Sequence, residues 1–140
     1  MNPIVFTTQG RATFSEVDPF GHVNTQHYLA YYLNHRFTGL REEIGLDLKT
    51  LAELPVAFFT SKVEIDFIKP LFGDDEYNIT SQFDEFGVSN CLVSMTMKSA
   101  KRDTVISKCR LTMVCVDPRL GKPVSWPSDL VQKFFREPSA

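Results

Sequence analysis

The chain has 140 residues, of which 43% are hydrophobic and 23% charged, with a formal net charge of −2. That size and balance suit one folded domain over residues 1–140, burying roughly 70% of its unfolded surface, and they exclude a disordered chain. The faintly acidic balance lacks the basic footprint of a nucleic-acid protein, and no stretch approaches the ~20 apolar residues of a membrane-spanning helix.

Residues 3–15, "PIVFTTQGRATFS", read as a strand with a bulge at Gly10. The next stretch, "VDPFGHVNTQHY", is a loop in which Pro19 pushes Asp18 toward an extended backbone. From about residue 26 to residue 44 the period changes. Leu29, Tyr32, Leu33, Phe37, Leu40 and Ile44 step by three and four residues and form one apolar helical stripe. Asn24 or Thr25 is placed to cap the helix and Gly45 to end it, while Gly39 allows a strand to approach closely.

After a loop through Leu54 and Pro55, four strands are expected at about 56–69, 76–85, 88–99 and 104–116. In the first, Val63, Ile65 and Phe67 alternate with Lys62, Glu64 and Asp66. "DPRLGKP" breaks the last strand, and "PSDLVQKFF" suggests a short terminal helix. The order is strand, long helix, then four antiparallel strands joined by short turns, an α+β pair of layers rather than an alternating βαβ fold.

Cys91, Cys109 and Cys115 lack CxxC or zinc-site spacing and read as buried thiols behaving as small hydrophobes. With no secretory signal in "MNPIVFTTQGR", a reducing, cytoplasmic location is expected. Twelve Phe and four Tyr exceed ordinary core needs and leave material for an apolar pocket or a subunit interface.

"DPFGHVNTQHYLAYYLNHR" resembles the acyl-CoA thioesterases of the hotdog fold, in the branch of the 4-hydroxybenzoyl-CoA thioesterase. The matching positions are Asp18, Gly21, His22, Val23, Asn24, Tyr28, Leu29 and Arg36. Lys69-Pro70, Gly73-Asp74 and the closing "LTMVCVDPRLGKPVSWP" continue the likeness in order. It implies a long central helix wrapped by a curved antiparallel β-sheet. It further implies a homodimer or homotetramer with sites between subunits, an acyl-CoA or acyl-carrier-protein substrate, and no cofactor or metal.

Asp before Pro in a Gly-containing loop is, on residue type alone, a turn or cap residue. The resemblance instead makes Asp18 the nucleophile or general base of thioester hydrolysis. Hydrolysis also needs donors aimed at the developing oxyanion, and the free N–H groups of a helix start meet that need. The likeness assigns them to residues 24–28, with the Thr25 backbone N–H as the foremost donor. His22 would brace the loop, and Asn24 would hold it against the helix. Tyr28 and Tyr31, with Phe58, Phe59 and Thr60 on the strand beside the helix, are acyl-pocket candidates. Lys98, Lys101, Arg102, Lys108 and Arg110 suit either the CoA phosphates or an acidic carrier protein.

Two positions depart from the family pattern. A helix Glu two residues before the Arg is replaced by Asn34, and the second Asn of a common "HVNN" is Thr25. The missing carboxylate removes a helix Glu from the list of bases and keeps a non-catalytic acyl-binding role as the competing reading.

Overall fold

The computed structural model describes residues 2–136. Strand β1 (Asn2–Pro3) leads into β2 (Phe6–Arg11), and a 3-10 turn at Phe14–Glu16 follows. A second 3-10 turn at Thr25–His27 opens helix α1 (Tyr28–Gly39), which widens into a π-type turn at Leu40–Ile44, so residues 25–44 are helical without a break. Gly45, at φ 82°, ends the run in the left-handed conformation that glycine adopts without a Cβ penalty.

A short helix α2 (Leu48–Ala52), capped by the Asp47 carboxylate on the Thr50 N–H, lies in what reads from sequence as a loop. Strands β3 (Ala57–Phe67), β4 (Glu76–Phe86), β5 (Asn90–Ser99) and β6 (Val105–Val116) come next. Helix α3 (Ser128–Gln132) and strand β7 (Phe135–Arg136) close the described chain. No helix among the described residues is long and apolar enough to cross a membrane.

Five strands form one antiparallel sheet in the order β2-β4-β5-β6-β3, and β1 pairs with β7 in a separate ribbon. The long helix therefore links the two opposite edges of the sheet, packing on β2 and β4. The expected strand over 3–15 is broken into β1, β2 and a 3-10 turn. Gly10 sits in regular register opposite Tyr77 rather than in a bulge, and the Tyr77 ring occupies the space a Cβ there would need. The register shifts fall on longer strands, at Thr60/Lys62, Phe83/Glu85 and Met97/Lys98. The terminal helix is shorter than expected because Phe135 leaves it to pair with β1.

The helix is rotated relative to the stripe its apolar residues suggest. Its buried residues are Tyr28, Tyr31, Tyr32, His35 and Gly39. Leu29 and Phe37 are only partly covered, and Leu33 is 42% exposed. Two contacts fix that rotation. At Gly39 the Phe6 ring of β2 fills the space a Cβ would take. One turn earlier, the buried His35 ring stacks on Phe6 at 4.7 Å, with Nδ1 2.6 Å from the Thr8 hydroxyl and Nε2 2.8 Å from the buried Ser81 hydroxyl. Hydroxyls serve as either donor or acceptor, so a neutral imidazole is satisfied at both nitrogens. Burial, with nearby Arg36, pulls the His35 pKa down to about 3.

Folded His35 thus refuses a proton that the unfolded chain accepts near its ordinary value of 6.5. Stability is predicted to be fully expressed above that pH and to fall as pH drops toward the folded value. His35→Gln is expected to lower stability at pH 7 by about 1–3 kcal/mol and to flatten the acid side of the profile. Urea unfolding from pH 7 to pH 4 checks this, and an unchanged slope in the variant would contradict it.

Candidate active site

The loop from residue 17 to residue 24 is a closed, hydrogen-bonded turn. The Asp18 N–H donates to the His22 carbonyl at 2.7 Å, and the Gly21 N–H donates back to the Asp18 carbonyl at 3.0 Å. Asp18 Oδ1 accepts from the Phe20 N–H at 2.9 Å and the His22 N–H at 3.2 Å. Oδ2 has no hydrogen-bond partner among the described residues. Asp18 is therefore a turn residue with one oxygen committed and one uncommitted. Gly21 sits at φ 82°, where a side chain would be strained.

His22 braces this turn through its backbone and through an edge contact with Phe72 at 5.0 Å, and the Val23 N–H ties the loop to the Leu71 carbonyl. Asn24 caps the helix, its side chain accepting from the Gln26 N–H at 3.3 Å and its carbonyl from the His27 N–H at 3.0 Å. The Thr25 N–H donates to no acceptor among the described residues. A free donor at a helix start and a free carboxylate oxygen thus lie on one short loop.

Glu16 holds this junction together. Its Oε1 accepts from the Thr13 N–H at 2.9 Å, the Thr13 hydroxyl at 2.8 Å and the Tyr31 hydroxyl at 2.7 Å, and its carbonyl accepts the Asn24 N–H at 2.8 Å. Burial raises the Glu16 pKa, but the Thr13 N–H, the Tyr31 and Thr13 hydroxyls and the charge of His27 together hold it below its ordinary value. The Thr13-x-x-Glu16 spacing is the sequence signal of a capping box, which makes the role of Glu16 readable from the sequence.

The acyl-pocket candidates separate. Tyr28 is buried edge-on against Phe67 at 5.0 Å, and Tyr31 is buried against Tyr77 at 4.9 Å with its hydroxyl spent on Glu16. Neither lines the apolar cavity of the chain. Thr60 and Phe58 do line it, whereas Phe59 points to the opposite face of β3 and is 59% exposed.

That cavity, about 180 Å³, lies between the helix and the sheet. Leu33, Arg36, Phe37 and Leu40 form its helix wall, which explains why the apolar stripe is not core. Phe83, Cys91, Leu111 and Met113 form the sheet wall, and Trp126 and Phe134 close one end. The Arg36 guanidinium lies 4.8 Å from the Phe83 ring centroid and 5.8 Å from that of Phe6, and its Nη1 is enclosed without a partner. Burial pulls its pKa down to about 10, with Cys91 opposing. The three thiols are buried, and burial pushes Cys91 up to about 11 and Cys109 up to about 12.

Of the basic residues, Lys101 and Arg102 stand with Lys69 along a surface groove, Lys98 lies 4.0 Å from Asp103, and Lys108 and Arg110 point outward from β6. Among the described residues no cluster of His, Cys, Asp or Glu is placed to hold a metal ion.

The sequence pattern of the thioesterase-like superfamily matches residues 12–134. The chain is 26% identical over 134 residues to the acyl-CoA thioester hydrolase YbgC of Escherichia coli, covering 96% of this chain and 98% of that protein. It is 24% identical over 127 residues to the long-chain acyl-CoA thioesterase FadM of Escherichia coli, covering 91% and 95%. The crystal structure of Slr0204, a 1,4-dihydroxy-2-naphthoyl-CoA thioesterase from Synechocystis, superposes with a TM-score of 0.84 over 93% of this chain and 95% of its own, at 16% identity. The fold is the hotdog fold, its helix packed on a five-stranded antiparallel sheet.

Because one carboxylate gathers three donors, Glu16→Gln is expected to lower stability at pH 7 by about 1 kcal/mol. The depressed folded pKa puts that contribution above the ordinary value of 4.5 and removes it as pH falls through the folded value. Parallel unfolding curves should therefore converge in acid, and curves that stay equally separated at every pH would contradict the role.

Proposed function

The chain belongs to the thioesterase-like superfamily, and from that premise we propose that it hydrolyses an acyl-CoA thioester to a free acid and CoA. Asp18 supplies the nucleophile or the general base, and the Thr25 N–H receives the oxyanion. The observation that carries the reading is the pairing, on one loop, of an uncommitted Asp18 oxygen with an uncommitted helix N–H. Acyl-CoA, rather than a carrier-protein thioester, follows the activities named for the two Escherichia coli relatives.

In the nucleophilic route Oδ2 attacks the carbonyl carbon, negative charge collects on the carbonyl oxygen at the Thr25 N–H, and the C–S bond breaks to release CoA. Water then cleaves the mixed anhydride and restores the carboxylate. In the base route Oδ2 takes a proton from water as the water attacks the same carbon. The tetrahedral intermediate then collapses and the C–S bond breaks. The proton held on Oδ2 passes to the departing CoA sulfur, restoring the carboxylate. Both routes use Oδ1 in one way: its bonds to the Phe20 and His22 N–H groups aim the carboxylate. A single oxyanion donor accounts for about 10²–10³ in rate.

The second part of the proposal is a homodimer that completes the site. Strand β3 is an edge of the sheet, and its residues Val63 and Phe67, opposite the buried Leu111 and Ser107, are 38% and 50% exposed. Val63, the half of Phe67 that does not pack on Tyr28, and Leu33 on the helix are apolar surface that one chain leaves uncovered. A second copy would cover all three.

Asp18→Asn keeps an oxygen acceptor for the turn while removing the charge. It is predicted to lower kcat/KM on an acyl-CoA by about 10²-fold or more with unchanged oligomer size and Tm. A thiol-release assay checks this, and full activity in the variant would end the assignment. Val63→Glu, which puts a charge on the uncovered face, should convert a dimeric or larger species to monomer in light scattering and reduce activity in step. A fully active monomer would rule out the shared site.

A further inference from the structure

The proposed reaction uses two groups from different parts of the chain, the Asp18 carboxylate on the loop and the Thr25 N–H on the helix start. A misplacement of about 1 Å between such groups costs about 100-fold in rate, so the loop and the helix have to be held in register. The Val17–Val23 bridge and the bond from the Asp18 N–H to the His22 carbonyl close the loop on itself, but neither reaches the helix.

Glu16 reaches both. Its carbonyl accepts the Asn24 N–H at 2.8 Å, at the helix cap, and its Oε1 accepts the Tyr31 hydroxyl at 2.7 Å. Asn24 and Tyr31 stand roughly two turns apart, so two ties from one residue set the angle of the helix as well as its distance. Among the described residues Tyr31 is the one helix side chain hydrogen-bonded to residues 13–23. Glu16 stands two residues before Asp18, which passes the hold directly to the carboxylate.

Both ends of the Glu16–Tyr31 tie are fixed. The Tyr31 ring is buried and packs on Tyr77 of β4 at 4.9 Å, so the sheet sets where the hydroxyl stands. Burial and the bond to Glu16 push the Tyr31 pKa up, which keeps the hydroxyl a donor. The Thr13 N–H at 2.9 Å and the Thr13 hydroxyl at 2.8 Å hold the carboxylate end. A hydroxyl donating to a carboxylate is a charge-assisted bond, stronger than one between neutral groups.

We propose that Glu16 is a positioning residue for thioester hydrolysis: through Tyr31 it holds the Asp18 carboxylate and the Thr25 N–H at their working separation. The proposal rests on the acyl-CoA reading above and adds the group that aligns its two parts.

The test measures kcat and KM per folded molecule on the fastest of acetyl-, octanoyl-, palmitoyl- and benzoyl-CoA. The temperature is one at which circular dichroism shows every variant fully folded. Tyr31→Phe keeps the ring and removes the tie. It is expected to lower kcat about 3- to 10-fold, and Glu16→Ala about 10- to 100-fold, with KM within about twofold. Glu16→Gln keeps an acceptor for the Tyr31 hydroxyl and should bring kcat to within about threefold of wild type, which a proton-transferring Glu16 would not allow. In the Asp18→Asn background Glu16→Ala should cost less than about twofold, because no carboxylate remains to be aligned. A purely structural Glu16 would lower Tm and leave kcat per folded molecule unchanged. That result, an undiminished loss in the Asp18→Asn background, or Glu16→Gln no better than Glu16→Ala would overturn the positioning role and leave the acyl-CoA reading standing. Wild-type protein inactive on all four thioesters would overturn the two together. Should Glu16→Ala not fold, Tyr31→Phe, alone and in the Asp18→Asn background, decides the matter.

Discussion

The rotation of the long helix about its own axis is the constraint on which the rest of this structure depends. His35, held between the Thr8 and Ser81 hydroxyls, and Gly39, pressed on the Phe6 ring, lock one face of the helix to β2 and β4. A polar group buried this deeply is stable only when both ring nitrogens have partners, so any other rotation would leave an unsatisfied imidazole in the core. With that face committed, Leu33, Phe37 and Leu40 turn toward the cavity instead of the core, and Arg36 turns with them. The cavity-lining face is what remains after the packed face has been fixed.

The same division appears at the helix start. Glu16 gathers three donors on one carboxylate oxygen, Asn24 gives its side-chain oxygen to the helix start, and Asp18 spends one of its two oxygens on the turn. Those bonds are compatible with the reactive role proposed for the other Asp18 oxygen, because bonds to one oxygen of a carboxylate orient the other. Along β3, by contrast, apolar surface remains bare: Phe59 on one face and Val63 and Phe67 on the other. An eleven-residue edge strand of this kind is a ready template for pairing.

Much of this was legible in the sequence. The change of period at residue 26, the Asn24 cap, the Gly45 terminus and the four long strands all follow from local chemistry, and the structure reproduces them within a few residues. The helix rotation was not legible, because apolar periodicity adds core residues and cavity residues into one stripe, while a buried His35 reads as polar surface. The alternation of a strand likewise decides between neighbours: Phe58 and Thr60 face the cavity, so Phe59 does not. Trp126 and Phe134 reach the cavity from the far end of the chain, a long-range placement that no local pattern encodes. Asp18 stood out through its motif, whereas Glu16 had an equally readable capping-box signal that the motif overshadowed.

The central claim is the proposal that Asp18 and the Thr25 N–H act on an acyl-CoA thioester at a site that a second copy of the chain completes. A crystal structure of the protein with a non-hydrolysable acyl-CoA thioether tests this most directly. The account predicts a dimer in which the thioether sulfur lies beside Asp18 and the Thr25 N–H. A thioether sulfur bound away from the Asp18 loop, or a monomer that binds the ligand fully enclosed, would contradict the account.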